Sequence, residues 1–228
     1  MIIKTCGLRS PENISEIAAL PVDWLGFIFY EKSPRYVGTQ AKLLPFLRAN
    51  EALLAGKKRV GVFVNAEFDN VLDAVHHYEL DYVQLHGGES AVYCVTLQEL
   101  LRGRTRPKVV QLMRAFRVSR SFDFAITKDF APYCAYFLFD TQIAVAPAQD
   151  EPYGGTGHQF DWSMLNHYTD PTPFILSGGI GPQDVAAVLA FQHPAFAGID
   201  VNSKFELEPG LKHVADLREF IESVKLKN

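Results

Sequence analysis

Two residues in this sequence carry protons at places that packing alone does not explain. Asp140 follows an apolar run, 136–139, and Cys6 follows another short one, 2–5. A carboxyl at the end of a buried strand keeps its proton more readily than one in water, and can serve as an acid. A thiol so placed can serve as a base or nucleophile once it becomes a thiolate, which requires a lowered pKa. The plainer readings are a turn or cap for Asp140 and a small buried hydrophobe for Cys6.

Other candidates follow apolar runs in the same way. Arg35 lies in Ser33-Pro34-Arg35-Tyr36, where a rigid loop suits a guanidinium fork gripping a carboxylate; by default it is a surface charge. His86 precedes Gly87-Gly88 and reads as an acid/base, as a ring that holds a neighbour, or as a packing histidine. Two glycine turns, Gly154-Gly155-Thr156-Gly157 and Ser177-Gly178-Gly179-Ile180, read as phosphate cradles or as plain loops. Asn65 and Asp200 also stand at strand ends, and Asp200 leads into Asn202-Ser203-Lys204. The pair His76-His77 is mid-helix with its rings pointing apart, so it makes no metal site.

These residues need a frame that gathers them. Short apolar strands are predicted over 2–5, 24–30, 59–64, 82–85, 108–113, 136–139, 173–176 and 198–201. Helical segments follow over 13–20 (entered through Ser10-Pro11-Glu12), 39–54 with Pro45 forcing a kink or a late start, 67–78, 90–101, 119–129, just beyond Asp161, 182–191 and 211–225. Alternating β and α with strands buried on both faces implies an all-parallel sheet. Eight such units predict one (β/α)8 TIM barrel over 1–228, whose C-terminal strand ends share one rim. A doubly wound sheet would want a glycine fingerprint after the first strand, and Cys6-Gly7-Leu8-Arg9 supplies none. The long segment between Asp140 and Trp162 lacks periodicity and reads as a functional loop.

Composition narrows the chemistry. With 22 Lys+Arg against 26 Asp+Glu and no basic block, nucleic acid is not expected as a partner. The opening MIIKTCGLRS is too short an apolar run for a signal peptide, and no stretch reaches membrane-spanning length, so no membrane partner and a cytoplasmic location are expected. Three cysteines without CxxC spacing argue against a disulfide framework or a zinc site.

With the residues placed, the chain resembles the phosphoribosylanthranilate isomerase family along nearly its whole length. The segments that carry this are Lys4-Thr5-Cys6-Gly7-Leu8, Gly26-Phe27-Ile28-Phe29-Tyr30-Glu31-Lys32-Ser33-Pro34-Arg35-Tyr36, Val60-Gly61-Val62-Phe63-Val64-Asn65, Val83-Gln84-Leu85-His86-Gly87, Phe139-Asp140-Thr141, Gly154-Gly155-Thr156-Gly157, Phe160-Asp161-Trp162 and Leu176-Ser177-Gly178-Gly179-Ile180. The resemblance implies an Amadori rearrangement of N-(5-phosphoribosyl)anthranilate in tryptophan biosynthesis, with no cofactor and no metal. It implies Asp140 as general acid and Cys6 as general base. It implies a substrate-binding role for Arg35 at the anthranilate carboxylate, with His86 and Asp200 beside the substrate, and a phosphate site at Gly154, Gly155, Gly178, Gly179, Asn202 and Ser203. Assembly stays open between monomer and homodimer. After the eighth strand the family's usual Asp-Val-Ser-Ser-Gly-Val-Glu is replaced by Asp200-Val201-Asn202-Ser203-Lys204-Phe205-Glu206, which places a lysine beside the expected phosphate. A histidine-pathway isomerase on the same barrel would be expected to use two aspartates, and the first strand here ends in Cys6. A non-catalytic barrel that binds a phosphorylated ligand is the other reading, against which the presence of both Cys6 and Asp140 argues.

Overall fold

The computed structural model describes residues 1–103, 109–141 and 162–226. Within them, β1 (Ile2–Thr5), β2 (Trp24–Ile28), β3 (Lys58–Phe63), β4 (Tyr82–Leu85), β5 (Gln111–Val118), β6 (Cys134–Thr141), β7 (Phe174–Ser177) and β8 (Phe196–Val201) close into a barrel in chain order. Each neighbouring pair is parallel, and β8 returns to β1 with Lys4 opposite Asp200. The expected eight-stranded barrel is therefore the fold.

Strand alternation divides the side chains between two cores. One parity, including Ile3, Leu25, Val83 and Phe137, packs outward under the helices. The other points inward, where Trp24, Val60, Tyr82, Met113, Leu138 and Ile175 form a separate cluster. Trp24 stacks on Tyr82 at 4.7 Å and meets Tyr136 edge-on at 5.1 Å. Toward the C-terminal strand ends the same inward parity turns polar, with Lys4, Gln84, Asp140, Ser177 and Asp200 all buried. An apolar floor thus supports a polar mouth.

The helices show how the local signals were used. α1 (Pro11–Ala18) begins with Pro11 at its first position, and the Ser10 side chain accepts from the Asn13 N–H at 3.4 Å. The single helix predicted over 39–54 is two shorter ones, α2 (Leu43–Ala49) and α3 (Glu51–Leu54). The late start puts Pro45 in the first turn, where a missing N–H breaks no intrahelical bond. α4 (Phe68–Tyr78) and α5 (Ala91–Arg102) follow the prediction within a residue. The segments predicted as helices after β5 and β6 are 3-10 turns, Phe124–Asp129 and Trp162–His167. α6 (Val185–Ala190) follows a short 3-10 turn, Pro182–Asp184.

Two elements depart further. β5 runs on through Arg114 to Val118, so that residue is interior to the strand and does not end it. Its guanidinium faces the helix layer, where Glu89 and the rings of Phe116 and Phe130 receive it. After β8 an antiparallel hairpin, β9 (Glu206–Glu208) and β10 (Leu211–Lys212), precedes α7 (Val214–Lys225), which begins later than predicted. All three cysteines are buried and free. Among the described residues no helix is long and apolar enough to cross a membrane.

Candidate active site

The first wall of the site comes from β1 and β8. Lys4 on the inward face of β1 and Cys6, the residue just past its end, lie two apart and so share a parity. The Lys4 ammonium, fully buried, donates to Asp200 Oδ1 at 2.8 Å, and Ser177 Oγ donates to Asp200 Oδ2 at 3.4 Å. Cys6 is 3% exposed, and space for its sulfur comes from β2: a Cβ on Gly26 would lie 2.9 Å from Sγ. Burial pushes the Cys6 thiol up; Lys4 pulls it down, Asp200 adds to the rise, Lys212 opposes, and the balance stays above the ordinary value. The lowered pKa expected from the sequence is thus not present in the resting site, because so enclosed a sulfur loses hydration that its cations only partly replace. Burial works against the Lys4 charge too, but Asp200 and Cys6 outweigh it and hold the ammonium above its usual range. The Asp200 carboxyl is raised, by burial first and against the pull of Lys4.

The second wall is β4 and β6. Asp140 is buried on β6, with Oδ2 3.3 Å from His86 Nε2 but outside hydrogen-bonding geometry. His86 Nδ1 lies 2.9 Å from Gln84 Nε2. With that amide nitrogen as donor, Nδ1 accepts and Nε2 carries the hydrogen toward Asp140.

Behind His86 an ionic clip holds the loop. The backbone N–H groups of Asn65 and Gly87 donate to the two oxygens of Glu89 at 2.7 and 2.9 Å. Arg114 donates to Glu89 at 3.1 Å and to the carbonyls of Leu85 and Gly87, both at 2.9 Å. Asn65 Oδ1 accepts from the Gly88 N–H at 2.7 Å, so this residue, singled out from the sequence, fastens the loop and is not among those lining the pocket.

Arg35 departs from its expected role as an open carboxylate clamp. Its fork is already closed on a carboxylate of its own chain: Nε lies 3.0 Å from both oxygens of Glu206, and Nη2 lies 2.6 Å from one of them. The hairpin after β8 brings Glu206 under the Arg35 loop, a juxtaposition that spacing in the sequence does not reveal. Lys212 joins the group, donating to Glu206 at 2.6 Å and to Asn202 Oδ1 at 2.7 Å. Asn202 therefore lines the pocket with its side-chain oxygen already engaged.

One pocket gathers Cys6, Gln84, His86, Asp140 and Asp200 with Ser177, Gly178, Gly179, Asn202, Ser203 and Lys204. Gly178 and Gly179 hold φ of 98° and 70°, a left-handed turn that glycine takes without strain. Gly154 and Gly155, like the loop after Asp140, lie outside the described residues. Sequence reasoning missed Lys4, Glu206, Lys212, Glu89 and Arg114 as parts of the site. For Lys4 a signal was present: a lysine inside an apolar strand, at the same parity as Cys6. Among the described residues no group of His, Cys, Asp and Glu could hold a metal ion.

Fold and site together define a (β/α)8-barrel enzyme whose Cys6 and Asp140 line one pocket at the C-terminal rim. The family model for N-(5′-phosphoribosyl)anthranilate (PRA) isomerase matches residues 3–223. The chain belongs to the N-(5′-phosphoribosyl)anthranilate isomerase family. The N-(5′-phosphoribosyl)anthranilate isomerase of Parabacteroides distasonis is 46% identical over 224 residues, covering 98% of this chain and 93% of that one. The phosphoribosylanthranilate isomerase structure from Thermotoga maritima superposes with a TM-score of 0.77 at 30% identity, over 99% of each chain. A further solved phosphoribosylanthranilate isomerase, in complex with reduced 1-(o-carboxyphenylamino)-1-deoxyribulose 5-phosphate, is 28% identical with a TM-score of 0.74, again over 99% of each chain.

Proposed function

We propose that this chain, an isomerase of tryptophan biosynthesis by family, converts N-(5-phosphoribosyl)anthranilate to 1-(2-carboxyphenylamino)-1-deoxyribulose 5-phosphate with Asp140 as acid and Cys6 as base. The observation that carries the assignment is that both side chains line one pocket, with the Gly178-Gly179 turn beside them. Asp140 gives its proton to the furanose ring oxygen, the C1–O bond breaks, and the nitrogen lone pair forms a protonated Schiff base. Cys6, as thiolate, takes the C2 proton; the C–H electron pair becomes the C1=C2 bond and the C=N pair returns to nitrogen. The resulting enolamine tautomerises to the ketose.

The left-handed turn at Gly178-Gly179 offers backbone N–H groups to the phosphate, with Ser203 alongside. Gly154 and Gly155 complete that grip in our reading. Arg35 serves the anthranilate carboxylate, which has to share its fork with Glu206. His86, with Nε2 3.3 Å from Asp140, serves substrate binding beside the acid. The ligand is thus a small phosphosugar–anthranilate conjugate; the protein works as a monomer or homodimer in the cytoplasm, and sedimentation separates the two assemblies.

The test is a coupled assay in which anthranilate and phosphoribosyl pyrophosphate are joined by a transferase and the fluorescent aminoaldose is followed. Its consumption on adding this protein is expected, and persistence of the fluorescence with well-folded protein would overturn the reading.

A further inference from the structure

A base at position 6 has to give up its proton in a place that burial makes hostile to a thiolate. Some cation must make the ionised sulfur affordable, and the described residues offer few. Lys212 is taken up by Asn202 and Glu206, at 2.7 and 2.6 Å. Arg35 is held by Glu206, and Lys204 is exposed at the pocket mouth. Lys4 remains. It stands on the same strand face as Cys6, fully buried, and its ammonium interacts with both Asp200 and the Cys6 sulfur.

We propose that Lys4 is a positioning residue for the reaction: anchored by Asp200, its ammonium is the counter-charge of the Cys6 thiolate, and Asp200 acts by holding Lys4. The inference rests on the reading of Cys6 as the base. Because Asp200 neutralises Lys4, the pair presents its positive end to the sulfur without adding net charge. The thiolate is favoured but not pinned, as suits a base that binds the C2 proton and releases it to solvent through the pocket in each turnover. Among the described residues, the charged groups acting on the sulfur are Lys4 from β1, Asp200 from β8 and Lys212 from β10, while β2 brings Gly26 against it. Across the pocket stand His86 and Asp140.

The experiment measures the rate of Cys6 alkylation by iodoacetamide against pH, read by mass spectrometry of the Cys6 peptide. In Lys4→Met the midpoint should move up by about 1–3 pH units, the usual effect of losing an adjacent opposite charge. Lys4→Arg should restore much of it. In Asp200→Asn, which removes the negative charge but keeps an amide oxygen to hold the ammonium in place, the midpoint should move down. Opposite shifts are not what a merely structural pair produces, and the second variant keeps the test alive if Lys4→Met does not fold. An unmoved midpoint in folded Lys4→Met, or an upward one in Asp200→Asn, would overturn the proposal. Alkylation needs no turnover, so the two readings can fail separately. Expected shifts with an active Cys6→Ser enzyme would keep the ion pair and remove the base, while unmoved midpoints with an inactive Cys6→Ser enzyme would do the reverse.

Discussion

Cys6 and Asp140 line the same pocket from walls built in different ways. The β1–β8 wall is a strip of buried charge in which Lys4 meets Asp200, with Lys212, Glu206 and Arg35 packed behind. On the β4–β6 wall Asp140 faces an imidazole, the imidazole rests on an amide, and the ionic clip of Glu89 and Arg114 stays outside the barrel. In the mechanism proposed above, the difference teaches how one barrel can carry two proton carriers with opposite tasks. The proposed base has to become negative, and the strand that leads into it carries a cation. The proposed acid has a neutral-polar neighbour instead, an imidazole 3.3 Å away. Divergent surroundings, more than the identity of the side chains, assign the roles.

That comparison can be broken at several points. Cys6→Ser and Asp140→Asn should each lower kcat by about 10²–10⁴-fold, the range of one general acid or base, with melting temperature little changed. Near-normal kcat in both would end the division of labour. Glu206→Gln should cost about 3–5 kcal/mol in urea unfolding, since it strips a buried carboxylate from two buried cations. Burial alone would raise the Glu206 carboxyl, yet Arg35 and Lys212 hold it below its ordinary 4.5. A depressed folded pKa contributes stability above the ordinary value, and that contribution is lost as pH falls through the folded one. The gap between wild type and Glu206→Gln should therefore close in acid; a gap constant down to low pH would contradict the pairing.

Arg35→Ala should raise KM about tenfold, the worth of a charge-assisted hydrogen bond, and Arg35→Lys should not fully restore it, because a point charge lacks the fork. An unchanged KM in the alanine variant would remove Arg35 from the substrate. The smallest effect is expected at Lys204, exposed on the rim of the pocket. Lys204→Ala should raise KM up to about fivefold with kcat unchanged, as for an exposed ion pair, and the difference should fade at high salt. Substrate titrations at two ionic strengths check it; a loss of kcat at constant KM would sharpen the comparison by moving Lys204 into the chemistry.

The barrel was legible because parallel strands buried on both faces leave near-continuous apolar runs, and each run stops at the rim. The rim residues were legible for the same reason: Cys6, His86, Asp140 and Asp200 all stand where such a run breaks. What stayed hidden depends on contacts between distant segments. Glu206 meets Arg35 across 171 positions of sequence, and Asp200 meets Lys4 across 196. The fifth strand was predicted to stop at 113, short of Arg114, because a charge in an apolar strand suggests water, whereas its partners Glu89 and the loop carbonyls replace water. The hairpin before α7 was hidden because its two strands are short and run directly into a helical pattern.

Gly26 has a meaning for variation in this chain that its lack of a side chain conceals. A methyl group there would lie 2.9 Å from the Cys6 sulfur and 3.0 Å from the Cys6 Cα, so two adjacent strands contend for one volume. The smallest substitution at 26 would drive the sulfur off its line to the pocket. With Cys6 as the proposed base, an enzyme carrying it would present as one that had lost that base, with every chemical group still in place. Position 26 thus belongs to the inheritance of the reaction although it touches no proton.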